Sequence, residues 1–136
     1  MLVVEQTNTK EIGDAPSPSI IIAELMIWSY ATPKHMNPAG SHKGNYTVGD
    51  QTWEVWVEKN WSDASGVNDN KWVYITFRVK NQNLKAKFYV IKFTNYAIDN
   101  EMLPKNFYIS DIVLGTEIMS GSGLVWVKQF DVAIER

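Results

Sequence analysis

Apolar and polar residues alternate with a period of two along most of this chain. Strands are therefore predicted at Ile20 to Tyr30, Asn45 to Val48, Thr52 to Glu58, Trp72 to Lys80, Lys87 to Phe93, Phe107 to Glu117 and Leu124 to Glu135. Turn chemistry separates them. Gly49-Asp50 sits in a tight hairpin, Ser62 to Asn70 form a longer polar loop, and Asn81 to Leu84 form another turn. Residues 15–19, Ala-Pro-Ser-Pro-Ser, lead into the first strong strand. A short helix is predicted over Thr94 to Leu103, with Thr94 as its cap and Pro104 as its stop. The expected fold is all-β: a β-jelly-roll, or two-sheet antiparallel sandwich, with one short helix and one domain over residues 1–136.

Alternation also assigns faces. On the first strand Ile21, Ala23, Leu25 and Ile27 form the natural core face, whereas Ile22, Glu24, Met26, Trp28 and Tyr30 share the other. Over Thr52 to Glu58, Trp53, Val55 and Val57 oppose Glu54, Trp56 and Glu58. Near the C-terminus, Asp111, Val113, Gly115 and Glu117 oppose Tyr108, Ile112, Leu114 and Ile118. A charge is costly to bury unless it is paired, hydrogen-bonded or facing water. Glu24 therefore belongs on a face that is not the main core. Alternation alone does not say whether the Glu24 and Glu117 faces meet.

Composition narrows the functional classes. With 136 residues and a net charge of −2, and with Lys and Arg scattered, nothing points to nucleic acid or an anionic membrane. The longest apolar segment is interrupted by Glu24 and is too short to span a bilayer. No secretory signal is read at Met1 to Lys10. The absence of cysteine excludes disulfides and thiolate metal sites. His35 and His42 share one loop without the further ligands a metal site needs, so no metal or other cofactor is expected. Asn45 and Asn60 open N-glycosylation-type triplets, a short and often fortuitous pattern. Six tryptophans fit either a surface for flat ligands such as sugars or ordinary half-buried strands.

If the two glutamate faces meet, the chemistry they offer is glycoside hydrolysis. One carboxylate attacks the anomeric carbon or activates water, and the other, with a raised pKa, protonates the leaving oxygen. An apolar neighbourhood, such as Ile118 and Met119 beside Glu117, raises a carboxyl pKa.

Local motifs carry a resemblance. Glu24 to Trp28 (ELMIW) and Gly115 to Gly123 (GTEIMSGSG) together resemble glycoside hydrolase family 12, compact β-jelly-roll endoglucanases. Asn37 to Ser41, the hairpin Gly44 to Trp56 and the stretch Phe93 to Pro104 resemble further pieces of that family in the same order. The resemblance covers Ile20 to Ile134. It implies Glu24 as nucleophile, Glu117 as general acid/base, and Met26 and Trp28 as residues lining the cleft. It further implies a retaining mechanism on β-1,4-glucan, mixed-linkage β-glucan or xyloglucan, and an extracellular location.

The chain departs from the family at Ile118-Met119, where Pro-Phe is usual. It also has only Met1 to Ser19 before the nucleophile strand. An N-terminally truncated domain is therefore expected, with exposed sheet edges open to self-association. Leu2 to Lys10 are expected as the remnant of the preceding strand, with Glu5 in place of an aspartate that supports the nucleophile. Two other classes stay open: a carbohydrate-binding β-sandwich without turnover or an inactive fragment, and a structural β-domain in which Glu24 pairs with a buried base, Arg78 foremost.

Overall fold

The computed structural model describes residues 2–4, 21–32, 37–62, 70–116 and 121–134. It contains strands β1 (Leu2–Val4), β2 (Ile21–Trp28), β3 (Ser41–Val48), β4 (Gln51–Trp61) and β5 (Trp72–Val79), helix α1 (Val90–Asp99) and strand β6 (Tyr108–Asp111). The strands form one six-stranded sheet in the order β3-β4-β5-β2-β1-β6. An all-β chain with one short helix is what the alternation predicts.

The pairing differs from the antiparallel expectation at the centre of the sheet. β2 and β5 run parallel, with Glu24 opposite Tyr74, Met26 opposite Thr76 and Trp28 opposite Arg78. The other ladders are antiparallel. A parallel neighbour requires a long connection. Here the chain supplies it by running out through the β3–β4 hairpin and returning as β5.

One face of the sheet is the core. Ala23 and Leu25 from β2, Trp53, Val55 and Val57 from β4, and Ile75, Phe77 and Val79 from β5 are buried there. On β2 and β4 these are the alternate positions that the sequence assigns inward. α1 covers this face with Phe93 and Ala97, and Leu103 follows the helix into the same cluster. The packing is aromatic and edge-on: Phe93 meets Trp53 at 5.1 Å and Phe77 at 5.0 Å between ring centroids. Tyr46 of β3 closes the cluster, lying 4.3 Å from the Tyr96 ring and donating its hydroxyl to Lys92 O at 3.1 Å.

The helix starts four residues before the predicted position, and this overturns two expectations. Lys87 to Phe93 is not a strand: Val90 to Phe93 form the first turn of α1. Thr94 does not cap; it is buried inside the helix and donates to Ile91 O at 3.1 Å. The N-cap is Tyr89, which makes no side-chain capping bond. The usual polar start signal is therefore missing from the sequence. At the other end the amides of Met102 and Leu103 both bond Ala97 O, and Glu101 takes a left-handed conformation with φ 57°. Such a conformation satisfies the last carbonyls of a helix.

Four other predicted strands differ in extent. β6 ends at Asp111, short of the predicted Glu117. The predicted strand at Leu124 to Glu135 forms no ladder over 124–134. Leu124, Trp126 and Ile134 are each more than four-fifths exposed there. β3 is longer than predicted, starting at Ser41, and β4 runs on to Trp61. Gly40 permits the approach of β3 to β4: its φ is +85°, and a Cβ built on it would lie 2.1 Å from Val57 O. Only glycine accepts both conditions.

Candidate active site

The face opposite the core carries the polar and aromatic positions of the same strands. The β2–β5–β4 ladders align them in ranks: Glu24, Tyr74 and Glu58; then Met26, Thr76 and Trp56; then Trp28, Arg78 and Glu54. Glu24 is half-buried, and so are Met26 and Trp28. Alternation turns Glu24 away from Ala23 and Leu25, which answers how a carboxylate is tolerated within an apolar strand.

Three aromatic residues unmarked by the sequence reading lie near this carboxylate, and one of them, Trp72, bonds it directly. The Trp72 indole N–H donates to Glu24 Oε2 at 3.4 Å. Tyr74 places its hydroxyl 2.6 Å from the Met26 sulfur. Trp61 stacks on Tyr74 with centroids 4.6 Å apart. The period of β5 places Trp72, Tyr74, Thr76 and Arg78 on one face. What the sequence lacks is the neighbour: nothing local tells that β5 lies beside β2.

At the far end of the face stands an ion pair. Arg78 donates to Glu54 Oε2 through Nε at 2.8 Å and through Nη2 at 2.6 Å. Nη2 also reaches Asn37 Oδ1 at 3.3 Å. The guanidinium lies 5.6 Å from the centre of the Trp56 ring. Arg78 thus bonds Glu54, and the structural reading that paired it with Glu24 is corrected. Burial by itself pushes the Glu54 carboxyl up, but the bonds and charge of Arg78, aided by Trp56 and the nearby His42, outweigh it and hold the pKa below the ordinary value. His42 is on strand β3 rather than in a loop, its ring 5.2 Å from Trp56.

On the other side of Glu24 lies β1, then β6. Leu2 pairs with both Glu24 and Asp111 in register. The strand leading into the Gly115-Thr116-Glu117 stretch is therefore two strands from Glu24, a backbone separation of about 9–10 Å. Glu117 itself, and likewise His35, Glu5 and the segment 5–20, lie outside the described residues. Among the described residues no group of three or more His, Cys, Asp or Glu could hold a metal ion.

The model of glycosyl hydrolase family 12 matches residues 6–135. The chain belongs to this family. Over 113 residues it is 29% identical to endoglucanase S of Pectobacterium parmentieri, covering 82% of this chain and 40% of that protein. The fold is similar to that of the native family 12 xyloglucanase from Bacillus licheniformis. The TM-score is 0.56 at 28% identity, over 66% of this chain and 37% of that one. The same xyloglucanase in complex with a ligand matches equally well. The chain thus spans about two fifths of the length of these family 12 relatives. Among the described residues, no helix is long and apolar enough to cross a membrane.

Proposed function

We propose that this family 12 chain acts on β-linked glucan as a retaining endo-β-1,4-glucanase, with Glu24 as the nucleophile and Glu117 as the general acid/base. The observation that carries the reading is the setting of Glu24: a half-buried carboxylate on the non-core face, held by an indole N–H and flanked by Met26 and Trp28 in a family 12 sheet. A nucleophilic carboxylate must stay ionised, and hydrogen bonds to the charged form keep it so. Glu24 attacks the anomeric carbon while Glu117 protonates the leaving oxygen. Glu117 then takes a proton from the water that cleaves the glycosyl-enzyme bond. The side chains of Trp28 and Met26 offer the sugar an apolar surface beside the reacting bond. The names of the relatives support cellulose-type glucan and xyloglucan as the substrates to try first. An extracellular site of action fits polymers of this size.

The test is reducing-sugar release from barley β-glucan, carboxymethyl-cellulose and xyloglucan, comparing the parent with Glu24→Gln. Loss of roughly a thousandfold or more in rate is expected for the variant. Equal rates in the two folded proteins would remove Glu24 from the chemistry. A second reading is supported by the half-buried Trp28 and Trp56 on the non-core face: a sugar-binding sheet without turnover. It predicts that cello-oligosaccharides raise the melting temperature of parent and Glu24→Gln alike, with no reducing sugar released.

A further inference from the structure

We infer that Trp72 is a positioning residue for the Glu24 carboxylate, an inference that rests on the nucleophile reading above. Glu24 and Trp72 are 48 residues apart in the chain and meet because β2 and β5 run parallel. Glu24 is in register with Tyr74, so Trp72, two residues earlier, shares its face on the neighbouring strand. Its Nε1–H reaches Glu24 Oε2 at 3.4 Å.

The indole is not free to swing away. Trp72 is 5% exposed and packs against Ile21 and Trp61. Trp61 pairs with Trp72 across the β4–β5 ladder and stacks on Tyr74. Tyr74 in turn contacts the Met26 sulfur on the Glu24 strand. The ring is therefore held on one side by β2 and on the other by β4.

The chemical type of the donor matters. An indole N–H donates only and carries no charge. A bond from it favours the ionised carboxylate and fixes which oxygen faces the tryptophan. A lysine or arginine at this place would form an ion pair and withdraw charge from the attacking group. Trp72 orients the nucleophile without neutralising it.

The experiment is a carboxyl ¹³C titration of Glu24, its signal assigned by its disappearance in Glu24→Gln. The parent is compared with Trp72→Phe and with a chain carrying 3-benzothienylalanine at position 72, which keeps the indole shape and has sulfur where the N–H stood. The expected result is a rise in the Glu24 pKa of about half a unit to one unit in both altered proteins, at unchanged far-ultraviolet circular dichroism. In an active parent the acidic limb of kcat/KM moves up by the same amount. A Glu24 pKa unchanged in the folded 3-benzothienylalanine protein overturns the inference, and that protein decides the matter should Trp72→Phe not fold. The titration needs no turnover, so a parent without hydrolysis counts against the nucleophile reading while the Trp72–Glu24 contact is still judged by the shift.

Discussion

Arg78 grips a single oxygen of Glu54, through Nε at 2.8 Å and Nη2 at 2.6 Å, on the same face of the sheet as Glu24. The pair is partly exposed, so its worth is modest, and Glu54→Gln should destabilise the protein by about 1 kcal/mol near neutral pH. The folded-state pKa of Glu54 is depressed. Its stabilisation is therefore fully present above the ordinary carboxyl value of 4.5 and fades as pH falls through the lower folded value. Urea unfolding of parent and variant at pH 7 and at pH 3 checks this: the difference between them should shrink at the lower pH.

The aromatic core provides the largest single effects. Phe77 and Phe93 are both fully buried and meet edge to face between sheet and helix. Truncating either to alanine should cost about 3–5 kcal/mol, from lost burial and the cavity left behind. Equilibrium denaturation measures it. Because Phe93 is the main anchor of α1, Phe93→Ala should also reduce the helical signal in the far ultraviolet before global unfolding.

Gly40 and Gly49 separate two reasons for glycine. Both have positive φ, +85° and +62°. At Gly49 a Cβ would meet nothing within 4 Å, so Gly49→Ala should cost only the conformational penalty, roughly 1–2 kcal/mol. At Gly40 the Cβ would run into the Val57 carbonyl on β4. Gly40→Ala should therefore cost clearly more, because the start of β3 must move off β4. Thermal melts of the two variants side by side give the ordering.

The exposed segment 124–134 should govern behaviour in solution. Leu124, Trp126 and Ile134 project apolar side chains into solvent without a ladder partner. Large exposed apolar patches drive association. The chain should bind an apolar fluorescent dye in its folded state and show concentration-dependent association by light scattering. Trp126→Lys with Ile134→Lys should lower both signals and leave the melting transition of the sheet in place.

The sheet's inward face could be read from the strand period alone: Ala23 with Leu25, and Trp53 with Val55 and Val57, all lie where alternation puts them. So could the outward turn of Glu24. Two kinds of information were not local. Which strand lies beside which is decided by long-range packing, so the parallel β2–β5 pair, and with it Trp72 beside Glu24, could not be foreseen. Val90, Ile91 and Phe93 favour strands by propensity, yet they form a helix. The cluster of Trp53, Phe77 and Phe88 binds Phe93 on a helical surface, and tertiary burial outweighs the local preference.

The parallel β2–β5 pairing also gives the protein a timetable. A ladder between Glu24 and Tyr74 cannot close until the intervening residues, including the whole β3–β4 hairpin, have been traversed. Local hairpins form early, whereas contacts this distant in the chain pay a large loop-closure cost first. The neighbourhood of Glu24 is thus among the late contacts of folding. An emerging chain acquires the surroundings of its carboxylate only after β5 has left the ribosome.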